Sequence, residues 1–538
     1  MLPATFAEGV RGTELQATKT TWRKSCSRLL SMLCAGIFLV AMTPYSTAVD
    51  APATPAATEV KPPAPPALEV PPEGTLWRQV AGENFIRKTG LKLDVELETG
   101  VSANNTADSS VSGVGGTNLP ALPGDTGFML SDLWLFIHRD MKTDILPVIT
   151  PLPGPMPKKF DWGLDVEADY GRDCQPARMA GWDTHWSMNE PAASDPSYAA
   201  AHKSNFFCNP AVATKAYLPV FKGMTVQFGR WGDMLTLEIP PNPSGPNPNF
   251  FFSHSYSFLA DVTQVFGWLT SVNVMRSPTH GWMAFEFGSN QGNMTLHSYA
   301  GTPFQNFEGA LRWRSPHMRT WVDAQFRAGD GNIKTNAAGV PLNSTDFTNS
   351  GTFLYSPRGQ MKVFNEVIIN HEVGEHWALT LEGNYMKQSG DGKADTQWIF
   401  GGTGGIPVAF NFGGDHAVGI YGRAVYKFNR KFSLGVRGET LHDHNGYFLQ
   451  PVNAWVTPTA NPVLPFVPVT ANFAHGSLNE VTFGGNYNPT KYLRIRPEFR
   501  HDWSDNPAYG LSNATVTAGT ALPKKSQNTF AMDFITWF

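Results

Sequence analysis

From about residue 88 onward, apolar and polar side chains alternate with a period of two in run after run. Successive side chains of a β-strand point to opposite faces, so each run builds one apolar wall and one charged wall. In 91–101, Leu91, Leu93, Val95, Leu97, Thr99 and Val101 share one face; Lys92, Asp94, Glu96 and Glu98 share the other. In 160–172, Trp162, Leu164, Val166, Ala168 and Tyr170 oppose Asp161, Asp165, Glu167 and Asp169. The pattern returns at 318–327, 377–385, 432–439, where Val436 opposes Arg437 and Glu439, and 492–503. In that last run Leu493, Ile495, Phe499 and Trp503 oppose Arg494, Arg496, Glu498, Arg500 and Asp502.

These runs are about ten residues long, the length of a tilted strand that crosses a bilayer. Weaker candidates lie near 129–140, 222–230, 262–275, 281–288, 307–315, 359–373, 416–428 and 479–488, with turns such as Asn488-Pro489-Thr490 between runs. The sum is about 14 to 16 strands, and closed bacterial barrels take even numbers. The expected fold is an all-β, closed antiparallel transmembrane barrel of about 16 strands, with 14 and 18 as the alternatives, over residues 88–538. No apolar run of about 18 residues appears beyond the N-terminal region, which excludes a multi-pass helical membrane protein. In lipid every backbone donor and acceptor must be paired within the protein, which strands achieve only by closing the sheet. Pro497 lacks a donor and is expected at a bulge or near a rim.

A soluble sandwich also alternates, but two features oppose it. Aromatics sit at the ends of apolar faces, Trp162 with Tyr170 and Trp377 with Tyr385, where interfacial girdles belong. Phe530, Met532, Phe534, Thr536 and Phe538 form one face of the final run, and Phe538 ends the chain. Such an ending, Phe530, Phe534 and Phe538, resembles the β-signal read by the barrel assembly machinery of the outer membrane.

Residues 1–48 have the form of a secretory signal peptide: a basic leader from Arg11 to Arg28, an apolar stretch from Leu29 to Met42, and small residues at 46–48. Five of the 41 Lys and Arg residues and two of the 45 Asp and Glu residues lie in it, so the remainder is more acidic than the net charge of -4 for the whole chain. That balance excludes a nucleic-acid partner, which needs a basic face. Residues 49–87 are expected to be a periplasmic spacer, extended where Ala and Pro dominate before residue 75. Cys174 and Cys208 remain after the leader; in an oxidising compartment they either pair or stay as buried thiols.

Several segments are similar to the OmpL-like β-barrel porin family of the porin-2 type. They are Phe160 to Asp173 (FDWGLDVEADYGRD), Phe228-Gly229-Arg230-Trp231-Gly232, Arg437-Gly438-Glu439 with Asp443, Arg496-Pro497-Glu498-Phe499-Arg500-His501-Asp502-Trp503, and Asn528 to Phe534. They recur in order across about residues 125–538. The resemblance implies a porin: an outer-membrane channel, set in outer-membrane lipid, that passes small polar solutes without a cofactor. By analogy with general porins it implies a homotrimer. Residues 174–212 and 240–252 depart from the family pattern.

A barrel of this size encloses an aqueous lumen. The charged faces must point into it, because a base facing lipid at mid-depth costs roughly 2–4 kcal/mol. Asp94, Glu96, Glu98, Asp165, Glu167 and Asp169 lie early in the chain; Arg423, Arg437, Arg494, Arg496 and Arg500 lie late, with Glu439 and Glu498 among them. Closure sets the last strands beside the first. Either an acidic wall then adjoins a basic wall and sets a field across the pore, or the charges pair into ladders that stiffen the lumen. The stretch from Glu238 through Phe250-Phe251-Phe252 is a candidate for an infolded constriction, as is 174–212, against plain surface loops for both. His442-Asp443-His444 puts two histidines on one face at a strand end, without a clear third metal ligand, so no metal is assigned. No nucleophile elbow, Gly-rich phosphate loop or Cys-x-x-Cys pair appears, so no catalytic residue is assigned. Two alternatives to a porin are a plugged structural or adhesive barrel and a hydrolase on the rim.

Overall fold

The computed structural model describes residues 75–106, 127–145, 154–171, 206–232, 249–261, 264–292, 306–330, 361–388, 394–399, 406–411, 414–444, 476–509 and 524–537, with isolated positions between them that include Cys174, Glu238 and Phe448. The leader, the Ala/Pro-rich spacer up to residue 74, most of 175–205 and Phe538 lie outside the described residues.

Sixteen strands form one closed antiparallel sheet. They are β1 (Leu91–Asn104), β2 (Gly127–Arg139), β3 (Asp161–Gly171), β4 (Phe206–Cys208 and Val212–Leu218), β5 (Met224–Gly232), β6 (Gln264–Ser277), β7 (Gly281–Asn290) and β8 (Asn306–Arg314). Then follow β9 (Thr320–Asp330), β10 (Met361–Val373), β11 (Trp377–Gln388), β12 (Asp415–Lys427), β13 (Phe432–Asp443), β14 (Gly476–Thr490), β15 (Leu493–Ser504) and β16 (Ser526–Trp537). The two parts of β4 both pair with β3, so they act as one interrupted strand. Neighbours in sequence are neighbours in the sheet, and β16 closes the barrel by pairing with β1, Glu98 opposite Ile535.

Fifteen of these strands coincide with runs legible in the sequence. The exception is β4, which lies within and just beyond the Cys-containing insert. Cys174 and Cys208 are joined by a disulfide, with Cα atoms 5.7 Å apart. Two short helices, α1 (Thr75–Val80) and α2 (Glu83–Thr89), precede β1 in the last part of the segment read as spacer, beyond the stretch expected to be extended. This stretch has lost the prolines of the preceding segment, and Ile86 of α2 is buried.

Burial follows the period of two with the charged face inward. Trp162, Phe228, Phe285, Leu311, Leu381, Leu434 and Phe530 are exposed on the outer face, and their polar neighbours in sequence are largely buried. This inverts a soluble protein and gives lipid an apolar belt. Short turns such as 428–431 and 374–376 gather at one rim with both ends of the barrel, and most long connections lie at the other. At the short-turn rim Trp377, Tyr426, Phe428 and Phe432 form a run of ring contacts, as an interfacial girdle requires.

Pro497 lies within β15 rather than at its end. Its pairing with Met532 of β16 is intact, but the β14–β15 ladder is interrupted between Gly484–Glu498 and Tyr487–Ile495. Proline has no N–H to give that ladder.

Candidate functional site

The connection between β5 and β6 turns inward, and its residues 249–261 lie in the lumen against the wall made by β13, β14, β15, β16 and β1. The short helix α3 (Tyr256–Asp261) ends the segment. It is held mostly through its backbone, whose N–H and C=O groups every residue type but proline carries alike, so its partners are not legible in the residue types.

Carboxylates of the wall take its N–H groups. Glu498 accepts from Phe252 at 2.9 Å and Ser253 at 3.1 Å. Glu439 accepts from Tyr256 at 2.5 Å and Ser257 at 2.8 Å, and also from the Ser257 hydroxyl. The Tyr256 hydroxyl donates to Asp502 at 2.6 Å. Charge-assisted bonds of this kind contribute about 1.5–3 kcal/mol each.

Arginines of the wall take its carbonyls. Arg437 donates to Ser253 O at 2.7 Å, Arg500 to His254 O at 2.5 Å, and Arg496 to Asn249 O at 2.8 Å and Phe251 O at 3.2 Å. The Arg437 and Arg500 guanidinium carbons also lie 5.0 Å from the ring centres of Phe251 and Tyr256, within cation–π range.

Three phenyl rings seat on three glycines. A Cβ added at Gly100 of β1 would lie 2.6 Å from Phe252 Cζ; at Gly435 of β13, 2.5 Å from Phe250 Cε1; at Gly484 of β14, 2.9 Å from Phe251 Cδ1. Ordinary carbon contacts fall at about 3.5–4.0 Å, so only glycine leaves room for these three rings against the sheet. Met129 and Ala531 complete the apolar contact around Phe252.

Glu238 ties the start of the segment to its middle. It accepts from Ser255 N–H at 2.9 Å and from Arg437 at 2.9 Å, and meets His254 Nδ1 at 3.1 Å. Burial would push its carboxyl up, but the Arg437 guanidinium and His254 outweigh that and hold it at about 2, against an ordinary 4.5.

The acidic and basic strands therefore meet as paired ladders. Arg496 bonds Glu98 of β1 at 3.0 Å and Asp533 of β16 at 2.8 Å, spanning the closure of the barrel. Arg437 bonds Glu480 at 2.6 Å and Arg500 bonds Asp502 at 2.7 Å. Asp94 meets His138 at 3.0 Å, and Asp169 and Glu96 are buried nearby. Asp94, Glu96, Glu98, Asp169, Arg437, Glu439, Arg496, Glu498 and Arg500 thus face inward but are shut off from water. Asp165, Glu167, Arg423 and Arg494 are half-buried on the same inner face. Asp165 pairs with Lys215 of β4, Arg423 reaches Thr380 at 3.4 Å, and Arg494 donates to Asn488 at 3.1 Å. On the far wall Arg312 repeats the pattern between Glu286 at 3.1 Å and Asp323 at 2.6 Å. Neither Arg312 nor the three glycines carried a signal in the sequence. Phe530 and Phe534 stand on the outer face of β16.

A model of the family described as Putative beta-barrel porin-2, OmpL-like, matches residues 92–538. The chain belongs to this family. It is an outer-membrane porin. No curated protein matches it. Among solved structures it is similar to the outer membrane channel DcaP of Acinetobacter baumannii, with 10% identity over 84% of this chain and 98% of that one, TM-score 0.43. It is similar to Pseudomonas putida OprB, with 11% identity over 88% and 100%, TM-score 0.44. The anion-selective porin from Comamonas acidovorans shares 11% identity over 83% and 99%, TM-score 0.42.

Proposed function

We propose that this porin is a passive pore for small polar solutes and ions, narrowed by the pinned segment 249–261 and preferring cations. The observation that carries the reading is the stoichiometry of the buried ion pairs. Arg437, Arg496, Arg500 and Arg312 each contact two carboxylates, Glu480 being shared by Arg437 and Arg500, so acids outnumber bases seven to four across these clusters. Fixed charge around a narrow path sets which ions enter it. Asp165, Glu167, Arg423 and Arg494, being half-buried, are the charges nearest the solute path and balance two against two, so the preference comes from the surplus of acids in the wall behind them, which also holds the segment in place.

The reading assigns no catalytic step and no cofactor; passage is diffusion. Outer-membrane lipid covers the apolar belt, and three copies assemble. The barrel assembly machinery reads the Phe530, Phe534 and Phe538 face. The Cys174–Cys208 bridge ties the start of the connection after β3 to β4.

Reversal potentials across planar bilayers with a KCl gradient test the selectivity. A potential of the sign set by potassium supports the proposal. A potential of the sign set by chloride contradicts it.

A further inference from the structure

At the rim that bears most of the long connections, β12 opens with Asp415 and His416, and β13 closes with His442 and Asp443 before His444. The register pairs Val418 with His442 and Ala417 with Asp443. One step beyond, the His444 N–H donates to the His416 carbonyl at 3.1 Å. His416 and His444 are therefore cross-strand neighbours, and their rings lie 4.9 Å apart, 23° from parallel. Both are exposed. The Asp415 carboxylate is buried and accepts the His416 N–H at 2.7 Å, and the same oxygen is 3.9 Å from His444 Nδ1. One donor atom from each of the three residues lies within 4.8 Å of the others. His442 shares the face of His444 and is oriented by Ser477 Oγ, 3.1 Å from its Nδ1.

We infer that Asp415, His416 and His444 form a binding site for a divalent transition-metal ion of the zinc or copper class. Two imidazoles and one carboxylate are the donors these ions take, and imidazole favours them over calcium and magnesium. Zn–N bonds of about 2.0–2.1 Å bring donor atoms closer than they stand here. Two of the three side chains are exposed and close that gap by rotation about χ1 and χ2. Asp415, fixed by its backbone bond, is the anchor they close upon. A bound ion adds a clip between the outer ends of β12 and β13, where the pairing of the strands ends. Lys387, opposite His416 on β11, is the neighbour that opposes a cation; the Asp415 carboxylate offsets it.

The test uses the untagged full chain, refolded in detergent, with zinc chloride in calorimetry and copper sulfate in electron paramagnetic resonance at pH 7.5. The expected result is one equivalent of zinc, unaffected by excess calcium or magnesium, and nitrogen couplings from two imidazoles on copper. His416→Gln and His444→Gln should each weaken zinc binding by at least about 100-fold, the upper end of what losing a supporting residue costs a metal site. Lys387→Gln should tighten it. Heat-modifiable migration on gels confirms that each variant is folded. Absence of saturable zinc binding overturns the inference. So does a folded His416→Gln, His444→Gln double variant that binds zinc and couples to copper as the parent does.

Discussion

Replacing Glu439 and Glu498 together by alanine should release the lumenal segment without unfolding the barrel. The two carboxylates accept four backbone N–H groups, from Phe252, Ser253, Tyr256 and Ser257. A buried donor left without an acceptor costs about 1–3 kcal/mol. Water entering the space left by each side chain satisfies part of the loss, which sets the total near the lower end, about 4 kcal/mol for four donors. At about 1.4 kcal/mol per factor of ten, the ratio of docked to released segment falls roughly a thousandfold. The strand ladders do not involve these side chains, so the barrel remains closed and heat-modifiable. In planar bilayers the double variant should show a larger mean single-channel conductance and frequent transitions between levels. A folded double variant with the conductance and noise of the parent would refute the pinning argument.

Four further outcomes follow from the same geometry. Gly435→Ala and Gly484→Ala place a Cβ 2.5 Å and 2.9 Å from the Phe250 and Phe251 rings, whereas nothing lies within 4 Å of a Cβ at Gly422; conductance should change in the first two and not in Gly422→Ala. Glu238 is held at about 2 against an ordinary 4.5, so its contribution is full above the ordinary value and is lost as pH falls through about 2. Conductance noise followed from pH 5 to pH 2 should therefore rise only in the acid part of the range, and a flat trace would contradict the assignment. The Cys174–Cys208 bridge closes a separation of 34 residues, worth about 3–4 kcal/mol by loop entropy, so reductant should lower the urea midpoint of the folded protein. Arg494→Glu, at a half-buried inner position, should shift the reversal potential further toward cations, and an unchanged potential would remove Arg494 from the solute path.

The barrel was legible because its physics is local. A period of two, a length of about ten residues and a charged inner face are properties of each run alone. The strand that escaped, Val212–Leu218, reads VATKAYL: its alternation is weakened by Ala213, Ala216 and Thr214, and Lys215 finds its acid only across the sheet at Asp165. The helices before β1 escaped because the proline-rich stretch ahead of them dominated that part of the chain. The site was half legible. Phe250-Phe251-Phe252 stood out by composition, and Arg496 and Glu98 were placed on walls that closure brings together. Their contacts were not, since Glu439 and Tyr256 are 183 residues apart and the bond runs to a backbone N–H that any residue carries. Gly435 and Gly484 carried no signal, because the rings that require them belong to a distant connection. Whether a lumenal charge faces water or a partner depends on that connection as well, which is why the sequence leaves both a field across the pore and paired ladders open, and the fold shows the ladders.

Single-channel recording of the refolded chain in planar bilayers tests the central claim most directly. A pore narrowed but not sealed by segment 249–261 should give stable, small steps whose conductance rises with salt concentration. A folded, heat-modifiable barrel that gives no steps at any salt concentration would contradict it.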